Sequence, residues 1–98
     1  MVKEIIWTPE AERSFEQILS YLQKFWTNRE LINFIRKTEE ITTHISRHPL
    51  AYRKAGKEDV REAIITKHNI LLYRVAEKRI YILYFWDTRK NPKRKPQQ

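Results

Sequence analysis

Cationic and aromatic side chains gather in the second half of this 98-residue chain, at Arg61, Lys67, Arg74, Tyr73, Tyr81, Tyr84, Trp86, Arg89 and Lys90. Guanidinium groups beside aromatic rings hold phosphates and stack bases. They also stabilise a pentacovalent phosphate during attack by an RNA 2′-hydroxyl, with no metal required. His68, between Lys67 and Asn69, has the ring chemistry of a general acid or base near neutral pH. The same pattern also describes an ordinary sheet, in which most of the aromatics are core and His68 is a solvated turn residue.

Other chemistries find less support. His44 and His48 stand four residues apart at the end of a helical stretch, with no nearby acidic or cysteine third ligand, so no metal centre is expected. Histidine there also suits the negative end of a helix dipole. Glu39-Glu40 and Glu58-Asp59 are sequence neighbours whose carboxylates diverge, which removes a glycosidase-type pair. Gly56 is the only glycine, so a glycine-rich phosphate loop is excluded, and no cofactor is expected. The chain has no cysteine, which rules out disulfides, thiolate metal sites and cysteine nucleophiles, and suits a reducing compartment.

Charge is distributed unevenly. Residues 1–50 hold seven Lys/Arg and seven Asp/Glu, whereas residues 51–98 hold thirteen and five, so the whole net charge of +8 lies in the second half. A balanced scaffold followed by a basic surface suits a polyanion or an acidic partner. No run approaches the ~20 apolar residues of a membrane span, and the expectation is a soluble cytoplasmic protein.

These residues need elements to hold them. Val2 to Trp7 reads as a strand closed by Thr8-Pro9, with Thr8 placed to cap a helix and Pro9 at its first position. Phe15, Ile18, Leu19, Leu22 and Phe25 then recur at helical spacing to about Trp26. Thr27-Asn28-Arg29-Glu30 matches a capping box, and Leu31, Phe34, Thr38, Ile41 and Ile45 continue in helical phase until Pro49 stops the run. The spacing predicts an antiparallel helical hairpin.

Residues 49–59 lack any period and read as a loop. Val60–Thr66, Asn69–Ala76 and Arg79–Trp86 read as strands joined by Lys67-His68 and Glu77-Lys78, an antiparallel meander. Alternation places Leu71, Tyr73 and Val75 under the helices and Arg74 on the open face. In the last strand both parities are apolar, so alternation does not decide which face each residue takes. The expected fold is α+β in the order β-α-α-β-β-β. The hairpin packs on one face and the first strand adds in parallel beside the last. Residues 1–87 form the domain and 88–98, with five cations and two prolines, a basic tail.

Three stretches, IIWTPEAERSFEQILSYL, VREAIITKHNILLYRV and IYILYFWDTRKNP, together resemble the RelE/ParE superfamily of bacterial toxins from type II toxin–antitoxin systems. The resemblance spans about residues 2–92. It implies a helical hairpin on one face of a sheet, a functional concave surface on the other, and an acidic antitoxin that folds onto the toxin. RelE-like members cut messenger RNA on the ribosome, and ParE-like members inhibit DNA gyrase.

By this resemblance Arg61 matches a basic residue on the first meander strand, and Arg89-Lys90 match the basic pair past the last strand. The RelE-like arginine of the middle strand is replaced by Ile70, and no Tyr or His follows Lys90. These departures favour a ParE-like toxin whose target-binding residues are Arg61, Lys67, Arg74, Trp86, Arg89 and Lys90. The alternative is a metal-independent, ribosome-dependent endoribonuclease using Arg61, Arg74 and Arg89, with His68 or Tyr84 as acid. A non-toxic basic module that grips nucleic acid through its tail is the third reading.

Overall fold

Thr8 joins the first strand to the first helix in the way its sequence position suggests. Its hydroxyl accepts from Ala11 N at 3.1 Å as the N-cap and donates to Ile82 O at 2.8 Å, so one side chain ends β1 (Glu4–Trp7), starts α1 (Pro9–Phe25) and ties both to the last strand. Thr27 Oγ1 caps α2 (Asn28–Arg47) by accepting from Glu30 N at 3.4 Å. The computed structural model describes residues 2–56 and 58–88, so the expected basic tail from Arg89 onward lies outside the described residues.

After the hairpin come β2 (Arg53–Lys54), β3 (Val60–Thr66), β4 (Asn69–Val75) and β5 (Arg79–Asp87). They form one five-stranded sheet in the order β1-β5-β4-β3-β2, with β1 parallel to β5 and the remaining pairs antiparallel. The expected meander and the parallel addition of the first strand are both present. Two details differ from the sequence reading. The segment read as a loop contains β2, two residues paired with Arg61 and Glu62, too short to leave a periodic trace. The first strand begins at Glu4, and Val2 is exposed.

The two helices cover one face of the sheet. Ala11, Ile18, Leu22, Phe34 and Ile45 meet Ala63, Ile65, Leu71, Tyr73, Ile80, Ile82 and Phe85. The rings of Trp7, Phe15, Phe34 and Phe85 pack together in stacked, tilted and edge-on contacts, with Phe15 5.1 Å from Phe85 and 5.3 Å from Phe34, centroid to centroid. Leu71 and Tyr73 lie under the helices and Arg74 is exposed on the far side, as alternation predicts.

A β-bulge resolves the ambiguity in β5. Leu72 pairs with Tyr84 but Tyr73 pairs with Ile82, so Leu83 is the extra residue and parity inverts there. Ile80 and Ile82 face the helices before the bulge, and Phe85 faces them after it. Tyr81, Tyr84 and Trp86 therefore share the open face. Beyond Trp7, where β1 ends opposite Ile82, Phe85 N donates 2.9 Å to Ser14 Oγ of α1. That buried bond satisfies the edge of β5 that faces away from β4, beyond the end of β1.

Candidate functional site

The open face is built from alternate residues of three strands. Val60, Glu62 and Ile64 come from β3, Ile70, Leu72 and Arg74 from β4, and Tyr81, Tyr84 and Trp86 from β5. Leu72 and Trp86 are buried at 2% and 7% exposure, so the middle of this face is a packed apolar floor. Ile64 is 63% exposed at the β3 end. Arg74 lies over the Tyr81 ring, 5.2 Å from its centroid, and marks the opposite end with a cation held by an aromatic. Arg53 pairs with the buried Glu62 carboxylate, bringing a second guanidinium to the β2–β3 edge.

The expected site residues do not all meet here. Arg74, Tyr84 and Trp86 share the open face, but Arg61 pairs with Tyr73 and so belongs to the helix-facing side. Its Nη1 donates to Tyr52 O at 2.7 Å and its Nε is buried with no hydrogen-bond partner. A guanidinium committed in this way joins the chain before β2 to β3.

His68 sits in the β3–β4 turn, where its carbonyl accepts from Thr88 N at 2.9 Å, and it starts the far end of β4 from Arg74. Arg74 lies five residue steps along the strand from Asn69, roughly 17 Å at 3.3–3.4 Å per residue. Lys67 and His68 instead line a cleft of about 380 Å³ with Leu22, Glu30, Asn33 and Lys37 on the helix side. Arg89 and Lys90 lie outside the described residues.

Sequence reasoning overlooked a polar network behind Arg61. Tyr73 Oη donates 2.6 Å to Pro49 O, Tyr52 meets the Tyr73 ring edge-on at 6.1 Å, and Tyr52 Oη lies 2.6 Å from His44 Nδ1. Burial pushes the Tyr73 phenol up to about 12; the Arg61 charge opposes this, and Tyr52 adds to it. Burial raises Tyr52 as well. Both phenols are neutral at physiological pH; Tyr73 Oη, donating to Pro49 O, ties the start of the 49–54 segment to the sheet, and Tyr52 Oη ties it to α2 through His44. The only sequence signal was a tyrosine inside an otherwise aperiodic loop. Among the described residues no group of three His, Cys, Asp or Glu side chains converges as a metal centre, and no helix is long and apolar enough to cross a membrane.

The fold can be placed among known structures. It superposes on a chain of the chromosomal ParDE toxin–antitoxin system from P. aeruginosa with a TM-score of 0.73 at 17% identity, covering 88% of this chain and 96% of that one. A chain of the E. coli DinJ–YafQ toxin–antitoxin complex gives 0.63 at 12% identity, covering 93% and 98%. The YoeB dimer from S. aureus gives 0.61 at 19% identity, covering 88% and 97%. At these identities the likeness is one of fold. A search of curated proteins found no match. The family model for the ParE toxin of the type II toxin–antitoxin system parDE matches residues 5–92, from β1 past the end of β5. With nearly the whole chain matched and the architecture shared, the protein belongs to the ParE toxin family.

Proposed function

We propose that this toxin stops bacterial growth by binding DNA gyrase through the open face of its sheet. Arg74 contributes from β4 and Trp86 lies in the floor of that face on β5, and Arg89 and Lys90, which follow the last strand in sequence, add positive charge. The observation that carries this reading is that Arg61 and His68, two of the groups the ribonuclease reading calls on, do not share the open face with Arg74 and Tyr84. Arg74 is on the open face, Arg61 is turned to the helix side and bonded to Tyr52 O, and His68 lies at the other end of β4. General acid–base cleavage requires the acid, base and phosphate-stabilising groups within hydrogen-bond reach of one phosphate. A surface that only binds has no such requirement.

The natural partner of the free toxin is an acidic antitoxin. The net charge of +8 and the exposed apolar residues Phe25, Trp26, Ile32 and Ile64 support one, and relatives of this fold occur in toxin–antitoxin complexes. The test pairs two assays on the purified toxin. In a gyrase supercoiling assay, the expected result is inhibition that antitoxin reverses. In a translating extract, messenger 5′ ends are expected to stay unchanged. New ends at the ribosomal A site, with gyrase unaffected, would overturn the proposal in favour of the ribonuclease.

A further inference from the structure

The last turn of α2 carries an arrangement that the toxin function does not use. His44 and His48 are four residues apart on an exposed helical surface, and their ring centroids stand 4.9 Å apart with planes inclined at 39°. Side chains at this spacing project from one face of a helix, one above the other. The His44 ring is also fixed from behind by its Nδ1 contact with Tyr52 Oη at 2.6 Å. With the proton on Nδ1 donated to that oxygen, Nε2 is left with a free lone pair on an exposed residue. This is the outer-sphere hydrogen bond that orients metal-binding imidazoles.

The space above the rings is an open depression of about 510 Å³ lined by Glu39, Glu40, Thr43, His44, Arg47 and His48, wide enough for a hydrated ion. The carbonyl end of the α2 dipole favours positive charge there, while Arg47 opposes it.

We infer that His44 and His48 form a two-imidazole clip for a late first-row divalent cation. Solvent fills the remaining coordination positions. With only two nitrogen ligands the site follows the general affinity order, in which Cu²⁺ binds most tightly and Ni²⁺ and Zn²⁺ more weakly. Metal–nitrogen bonds of about 2.0–2.1 Å require the two donor atoms to approach to about 3 Å. The exposed His48 ring makes that movement by rotating toward His44, which Tyr52 holds in place.

The test uses the full chain, stripped of metal with a chelator, exchanged into a non-coordinating buffer and titrated with Cu²⁺ alone. Binding is followed by electron paramagnetic resonance, which counts equatorial nitrogens. The parent is expected to show two imidazole nitrogens. His44→Ala and His48→Ala should each leave one and weaken binding at least about tenfold. Tyr52→Phe should keep both nitrogens yet bind roughly tenfold more weakly, the loss typical of an outer-sphere partner. His68→Gln should match the parent, and far-UV circular dichroism checks that each variant is folded. A one-nitrogen signal in the parent, or equal affinity in His44→Ala and the parent, overturns the inference.

Discussion

Replacing Ser14 with alanine tests how the fold sets the functional face. Ser14 is 3% exposed, and its Oγ accepts from Phe85 N at 2.9 Å while donating to Ala11 O at 3.1 Å. Alanine is slightly smaller than serine, so no large cavity opens, and Ala11 O keeps its place in the helix ladder. The Phe85 N–H loses its side-chain acceptor. An unsatisfied buried donor costs about 1–3 kcal/mol. For a domain near 100 residues each kcal/mol lowers Tm by roughly 4–8 °C, so a fall of about 4–24 °C is expected.

Thermal and urea denaturation measure the loss, and amide exchange at Phe85 localises it. The exchange rate at Phe85 should rise before that at Leu71 on the neighbouring strand. If Ser14→Ala melts within about 2 °C of the parent and Phe85 stays protected, Ser14 does not hold β5 after its bulge, and the account of how Tyr84 and Trp86 reach the open face is wrong.

Phe34→Ala should cost about 3–5 kcal/mol by calorimetry, because Phe34 is 1% exposed and stacks on Phe15; Ile35→Ala, on the exposed side of the same helix, should cost under about 1 kcal/mol. Equal losses at the two positions would contradict the packing of α2. Arg74→Glu should abolish growth inhibition in a plating assay while removing only the exposed Tyr81 contact, roughly 0.5–1 kcal/mol, and Arg89→Glu should act in the same direction; full toxicity in Arg74→Glu would take the open face out of target binding.

Alkaline pH should destabilise the fold. Tyr73 has its folded pKa raised to about 12 from an ordinary value of 10, so between those pH values the unfolded chain binds fewer protons than the folded one. The stabilisation is complete below pH 10 and is lost as pH rises toward 12. Urea midpoints recorded from pH 9 to 12 should fall in the parent and fall less steeply in Tyr73→Phe; parallel slopes would contradict the burial of the phenol.

Features fixed by neighbours in the chain were readable in advance. Thr8-Pro9 marks the start of α1, Thr27 with Glu30 marks the start of α2, and the spacing of Ile18, Leu22, Phe34 and Ile45 marks the buried stripes. Alternation in β4 correctly separated Tyr73 from Arg74, because polar Arg74 interrupts one of its two faces. Alternation failed in β5, where both parities are apolar and no residue type announces the bulge at Leu83.

Placement of the cations was less readable still. Arg61 and Arg74 are each one basic residue on a strand, and sequence periodicity treats them alike. The pairing of Arg61 with Tyr73, and the carbonyl of Tyr52 brought alongside by the short β2, turn Arg61 away from Arg74. Lys67 and His68 belong to a turn whose neighbours, Glu30 and Lys37, are thirty or more residues away in the chain.

The sequence by itself determined the order of elements, the helix caps, the buried helical stripes and the concentration of positive charge in the second half. Each depends on residues a few positions apart or on a simple count. The tertiary structure alone decided which cations share a face, which strand carries the bulge, and that Ser14 supplies the acceptor for Phe85. Those outcomes depend on contacts between residues as many as 71 positions apart, and local propensity carries no information about which distant group will arrive.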